Sequence, residues 1–428
     1  VKIWREWIHN IRGYNRNTRL ILVTELLFSI GIGMFAIIYN LYVRAAGHPQ
    51  LVVGNVVAIS SLATAIALIP AGILSDRFSR RKMIIIGGFT TIITLALRSI
   101  IVNETGLLTT AFIEGLFVAL IHVSFIPLLS ENSTDEQRVH LFSLLSALSV
   151  GASVIGNIGG GALTDLLQKA VGFSELISLR ITLLVSTGII ALAIIPMLMI
   201  KENKAERRIK SRKKSVKFNL KEFYRKNKTS LNLIFLLSIA QLFIGFGAGL
   251  VIPYLNLYFS DRFEASKSTI GLIVSLGQAA TAVAMFLGPM IVKRYGEVKS
   301  IVLLQFASIP FLLLTGLTQN LWLASIGYLL RQALMNAGNP IMMSVMMSRV
   351  DNHMRGLANS IGGMIPNIGW ALMGPVSTSI VQANGSYWGY VYVFSITAFL
   401  YICGTVYFYL VFGTKKSGIA LRAENRPL

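Results

Sequence analysis

One stretch of this chain is written twice. Leu27-Phe28-Ser29-Ile30-Gly31-Ile32-Gly33, followed by Tyr39-Asn40-Leu41-Tyr42-Val43, returns as Phe243-Ile244-Gly245-Phe246-Gly247-Ala248-Gly249 with Leu255-Asn256-Leu257-Tyr258-Phe259. Gly31 and Gly247, Gly33 and Gly249, Asn40 and Asn256, and Tyr42 and Tyr258 all share one offset of 216 residues. Duplication of an apolar chain predicts two similar helical bundles around a shared central site. The chain is 54% hydrophobic and 13% charged, where soluble proteins carry about a quarter charged residues, so its solvent is lipid.

A transmembrane helix needs about 20 apolar residues. Twelve such stretches are expected: 20–43, 52–74, 83–102, 107–129, 139–163, 181–200, 233–259, 270–292, 301–317, 321–346, 357–381 and 391–412. The predicted fold is therefore an all-α polytopic membrane protein with twelve transmembrane helices in two pseudo-symmetric six-helix bundles. The expected divisions are an interfacial helix at 1–19, a first bundle at 20–200, a basic linker at 201–232, a second bundle at 233–412 and a tail at 413–428.

The net charge of +21 is not spread evenly. With the N-terminus in the cytoplasm, 32 of the 39 Lys and Arg fall in inside segments, 13 of them between Lys201 and Lys228. This asymmetry follows the positive-inside rule and puts both termini in the cytoplasm. The expected partner of these charges is anionic lipid at the cytoplasmic face, not nucleic acid. Ile3, Trp4, Trp7, Ile8 and Ile11 share a helical face beside Lys2, Arg5 and Arg12, which fits a helix lying in that interface. A second surface-lying stretch is expected near Phe218, Leu220, Phe223 and Tyr224. A single cysteine, Cys403, excludes a disulfide framework and a thiolate metal cluster. No metal or cofactor is implied. Short outer loops point to a bacterial plasma (inner) membrane, and a monomer is expected.

Between the second and third stretches stands Gly72-Ile73-Leu74-Ser75-Asp76-Arg77-Phe78-Ser79-Arg80-Arg81-Lys82. It resembles the loop signature of the major facilitator superfamily, Gly-x-x-x-Asp-Arg-x-Gly-Arg-Arg/Lys, with Ser79 in place of the usual glycine. A decayed copy, Gly288 through Lys293-Arg294-Tyr295-Gly296, follows the eighth stretch. The resemblance covers essentially the whole chain and implies alternating access between two bundles. It also implies a cytoplasmic gate made by Gly72, Asp76, Arg77, Arg80 and Arg81. Asp76 adds nothing to a positive topology signal, whereas a carboxylate there can meet the positive end of a neighbouring helix.

The fifth stretch, Ala152 to Gly161, is similar to the glycine-rich signature of exporters in this superfamily. Asn157 takes the place of its proline and Ala152 that of its first glycine. Gly156, Gly160 and Gly161 are expected to let helices approach closely and bend. Gly374-Pro375 keeps the Gly-Pro pair in the second half. The arginine that proton-coupled drug antiporters carry in the fourth span is here Ala111.

Three charges sit clearly within spans: Glu25, Glu114 and Arg331. Each costs about 2.5–3.5 kcal/mol at mid-helix on insertion scales and is expected to face the protein interior or a wet cavity. The resemblance puts all three on cavity helices. Glu114 and Arg331 are 217 residues apart, at pseudo-equivalent positions, and two readings follow: a static ion pair, or a switchable site with His122 extending a proton relay. Phe28, Phe35, Tyr39, Asn40, Phe246, Tyr254, Asn256 and Tyr328 are candidate cavity-lining residues. Eight of the 14 methionines fall between Met335 and Met373, a composition that adapts to ligands of varied shape.

The expected function is secondary active, proton-coupled export of lipophilic or cationic small molecules, with the proton gradient as driving force. The alternative on the same fold is a proton-coupled importer or a lipid or lysolipid flippase. No nucleotide loop or nucleophile–base constellation supports an enzyme.

Overall fold

The computed structural model describes residues 14–201, 220–351 and 354–413, and all regular structure among them is helical. The expected N-terminal interfacial helix, most of the linker and the tail lie outside the described residues. Helices α1 (Arg16–Ala45), α2 (Gln50–Arg77), α3 (Arg80–Ile100), α4 (Glu104–Glu131), α5 (Asp135–Lys169) and α6 (Glu175–Leu198) account for the first six stretches. The seventh is α7 (Leu220–Val251), a 3₁₀ turn at Ile252–Tyr254 that holds Pro253, and α8 (Leu255–Phe263). Then follow α9 (Lys267–Tyr295), α10 (Glu297–Leu317), α11 (Leu321–Arg349) and α12 (Arg355–Phe412). Leu220 and Tyr224, expected on the membrane surface, belong instead to the first turns of α7, which runs without a break into the span.

Ten helices among the described residues are long and apolar enough to cross a membrane, where twelve spans were expected. The difference has two sources. α12 is 58 residues long and is interrupted by Gly385 at φ 76, so its arms, 355–384 and 386–412, are each roughly 40 Å against a hydrocarbon core of about 30 Å. α11 has the length of a span, but Arg331, Gln332, Asn336 and Asn339 lower its hydropathy.

The chain divides into two compact units, 1–46 with 66–215, and 47–65 with 216–428. In the first, α1 packs along α5 and α6, and α3 along α4 and α6. Its core holds Ile21, Leu22, Ile84, Phe125, Leu129, Leu141 and Met197. Tyr14, just ahead of α1, is buried against it, its hydroxyl 2.5 Å from Nδ1 of His140. In the second unit α7 lies along α12, and α11 packs on α9 and α10. Ile301, Ile341, Val345, Met346 and Phe408 form its core. The start of α2 belongs to this unit: Leu51 N–H donates to Gln382 Oε1 at 3.2 Å, and Gln50 Nε2 donates to the Tyr390 hydroxyl at 3.2 Å.

The duplicated glycines explain this packing. A Cβ on Gly31 would meet the Ser186 carbonyl of α6 at 2.9 Å, and one on Gly33 the Ser153 carbonyl of α5 at 2.7 Å. At the repeat, a Cβ on Gly247 would strike the Tyr401 ring at 2.7 Å, and one on Gly249 would meet the Gly369 backbone. Each pair seats the first helix of its half against the last two spans of that half. Small residues permit this close approach where lipid gives helices little apolar incentive to associate. Buried hydroxyls are satisfied within their own helices: Thr24, Thr64, Thr94, Ser99 and Thr110 each donate to the carbonyl four residues back. Large apolar side chains such as Phe235, Met290, Trp322 and Phe399 are exposed, as a lipid-facing surface requires.

Candidate functional site

The first unit gathers its charges across three helices. Arg98 of α3 reaches Glu114 of α4, with Nη1 3.3 Å from Oε2 and side chains only 8% and 12% exposed. The guanidinium also lies over the ring of Tyr39, 4.1 Å from its centroid, and 5.8 Å from that of Phe35. Phe35 and Tyr39 stack at 5.0 Å, so one face of α1 forms an aromatic floor under the cation. An ion pair out of water is tolerable when such contacts satisfy the charge. His122, two turns along α4 from Glu114, is exposed and lies within electrostatic reach of both Glu114 and Glu25. Glu25 is half-buried on α1; its Oε1 accepts from the Ser29 hydroxyl at 2.9 Å, and Ser29 lies 3.1 Å from the Ser149 hydroxyl of α5.

Sequence reasoning missed Arg98. It lies within the third apolar stretch, close to its end. The available signal was Phe35 and Tyr39, one turn apart, an aromatic pair able to underlie a cation.

In the second unit Arg331 of α11 is 4% exposed. Its Nη1 donates to Gln332 Oε1 at 2.8 Å and its Nη2 to the Tyr401 hydroxyl. The two pseudo-equivalent charges are thus each engaged in their own unit, Glu114 by Arg98 and Arg331 by neutral oxygens. Of the aromatic and amide candidates, Phe35, Tyr39, Asn40, Tyr254, Asn256 and Tyr328 are buried. Phe28 and Phe246 remain partly exposed. Tyr254 packs where a Cβ on Gly374 would stand 2.7 Å from its hydroxyl, and Tyr328 fills the space left by Gly277.

The basic loop folds into its own unit. Arg80 pairs with Glu131 at 2.7 Å, and Arg81 donates to the carbonyls of Met197 at 3.2 Å and Leu198 at 2.6 Å, closing the open end of α6. Ser79 sits at φ −69, so no glycine is required there, and its hydroxyl accepts from Lys82 N–H as the N-cap of α3. In the second copy the glycine is needed: Gly296 joins α9 to α10 at φ 76. Gly72 has open space around its Cα, Arg77 is exposed, and Asp76 lies in the last turn of α2.

α5 continues through its glycines as one helix from Asp135 to Lys169. A Cβ on Gly156 would collide with the Ile30 carbonyl, and one on Gly160 would sit 3.0 Å from that of Met34. Close approach to α1 is what these two positions provide. Gly161 is buried in the same helix.

The Major Facilitator Superfamily model matches residues 21–240 and 237–427. The chain is 25% identical over 267 residues to an uncharacterized MFS-type transporter of Methanocaldococcus jannaschii, covering 61% of this chain and 64% of that protein. It is 28% identical over 138 residues to the methylenomycin A resistance protein of Bacillus subtilis, covering 32% of this chain and 28% of that protein. The matches thus span less than two thirds of these relatives' lengths. Among solved structures, a bacterial homolog of the human lysosomal transporter Spinster, inward-facing and unoccupied, aligns with a TM-score of 0.75 at 14% identity, covering 97% of this chain and 99% of that one. The nucleoside transporter NupG aligns with a TM-score of 0.73 at 15% identity over 92% and 98%.

Proposed function

The chain belongs to the Major Facilitator Superfamily, a transporter family rather than an enzyme family, and on that premise we propose that it is a proton-coupled secondary exporter of small lipophilic molecules. The observation that carries the reading is the array of charges in the first unit, with Arg98 paired to Glu114 at 3.3 Å and Glu25 half-buried on α1. Glu25 is half-buried and accepts from the Ser29 hydroxyl, and in this reading it is the carboxylate that carries the proton. Glu114, held to Arg98, sets the field it works in. Protonating a carboxylate within the bilayer lowers the cost of holding it there, so proton binding favours one arrangement of the helices over the other.

Export is supported by the resistance protein among the relatives, since removal of a compound from the cell is one way to confer resistance. The glycine-rich face of α5 along α1 supports it further. Both termini and the basic loops face the cytoplasm in this reading, with anionic lipid as their partner. The test is a proteoliposome assay with an imposed pH gradient, screened against lipophilic compounds, sugars, amino acids and lysolipids. Gradient-driven movement of the lipophilic compounds is expected. Accumulation of a sugar or an amino acid alone would overturn the export reading.

A further inference from the structure

The two units treat their buried arginines differently. Arg98 has a carboxylate, Glu114, and an aromatic floor. Arg331 is buried as deeply, yet no carboxylate of its own unit among the described residues pairs with it. Its partners are the neutral oxygens of Gln332 and Tyr401; its Nε is buried without an acceptor, as that of Arg98 is, so the difference between the two lies in the missing carboxylate. An uncompensated cation in a low-dielectric interior is costly, and the cost falls when an anion arrives. The surroundings are otherwise suited to a polar group. On α9, Thr281 Oγ1 donates to the Gln332 carbonyl at 3.3 Å. One turn before it on the same face, Gln278 has a buried Oε1 with no hydrogen-bond partner. A flip of that amide puts its two N–H donors where its oxygen now stands. Asn336, one turn beyond Gln332 on α11, donates to its carbonyl at 2.9 Å.

We propose that Arg331, with Tyr401 and Gln332 against it, is the subsite for an oxyanion head group, carboxylate or phosphate, on the transported molecule. The substrate class is then an amphiphile with an apolar body and a negative end, not a lipophilic cation. A planar guanidinium with five donors suits such a head group, and one of those donors is still without an acceptor. Met342, Met343 and Met347 on α11 and Met364 and Met373 on α12, none of them fully buried, supply adaptable apolar surface on the same two helices.

This inference rests on the transport reading, and the two fail separately. Purified protein in nanodiscs of zwitterionic lipid is titrated with laurate, lauryl phosphate, inorganic phosphate and dodecyltrimethylammonium, with thermal midpoint and equilibrium binding as readouts. Laurate and lauryl phosphate should bind and stabilise the wild type, and the ammonium should not. Arg331→Gln should weaken anion binding at least tenfold and Arg331→Lys by less. With no ligand present, Arg331→Gln should unfold no earlier than the wild type, because it removes a charge without a counter-ion. Unchanged anion binding in Arg331→Gln, or ammonium binding as tight as laurate, overturns the subsite and leaves the transport reading standing. Arg331-dependent stabilisation by inorganic phosphate supports an anion site independent of the apolar body. Stabilisation only when phosphatidylglycerol is built into the nanodisc makes a bilayer lipid the occupant and overturns the substrate assignment. Anion binding through Arg331 in a protein that moves nothing under a pH gradient would remove the transport reading instead.

Discussion

Removing Glu114 should expose what holds the first unit together. In Glu114→Gln the Arg98 guanidinium stays where it is, over Tyr39, with no carboxylate to offset its burial. Breaking one side of a buried pair costs about 3–5 kcal/mol. With both side chains about one-tenth exposed and 3.3 Å between the charged atoms, the pair belongs to the buried class. The Tyr39 ring remains as a partner for the cation, so the lower end of the range, about 3 kcal/mol, is expected. Arg98→Gln should cost a similar amount by leaving Glu114 without its guanidinium. The double variant should recover most of the loss, with a coupling energy of about 2–3 kcal/mol in a double-mutant cycle read by thermal or denaturant unfolding in detergent. The cycle between Glu114→Gln and Arg331→Gln should be additive within about 0.5 kcal/mol, since each residue has other partners. A coupling below about 0.5 kcal/mol for Arg98 and Glu114 would match an exposed pair and refute the argument.

Ser79→Ala should lower stability by about 1 kcal/mol through loss of the α3 cap, while Ser79→Gly should cost only a few tenths; a gain in stability with glycine would show that the backbone there wants positive φ after all. Gly156→Leu should separate α1 from α5, because even a Cβ meets the Ile30 carbonyl, and the expected result is poor folding or loss of transport. Folding and transport at wild-type levels would remove the close-approach account. Asp76→Asn is expected to slow turnover several-fold with substrate binding near normal, and parallel loss of both would end the gating role.

Much of the fold was legible because duplication and hydropathy act on whole helices. The 216-residue offset marked Gly31, Gly33, Gly247 and Gly249, and in the structure these glycines seat the leading helix of each half. Contacts between particular side chains were less legible. Pseudo-symmetry relates Glu114 to Arg331, but symmetry-related positions share an environment without having to touch, and Glu114 found its partner on the neighbouring helix α3. Aromatic residues were ambiguous for a different reason. A helix in lipid is apolar on every side, so its sequence does not separate a face turned to a ligand from one turned to another helix. Phe35 and Tyr39, expected to line a cavity, lie under Arg98. The last two spans, expected at 357–381 and 391–412, are the two arms of α12, joined at Gly385 without an intervening polar loop.

The central claim, that a carboxylate in the first unit couples proton movement to transport, is tested most directly by Glu25→Gln in proteoliposomes. Flux is measured in two modes with the same substrate: driven by an imposed pH gradient, and as exchange across the membrane with no gradient. The account predicts that gradient-driven flux falls to background while exchange stays within a few-fold of wild type, because the variant keeps the Ser29 contact and loses only the titration. Equal loss in both modes, or gradient-driven flux at the wild-type rate, would contradict it.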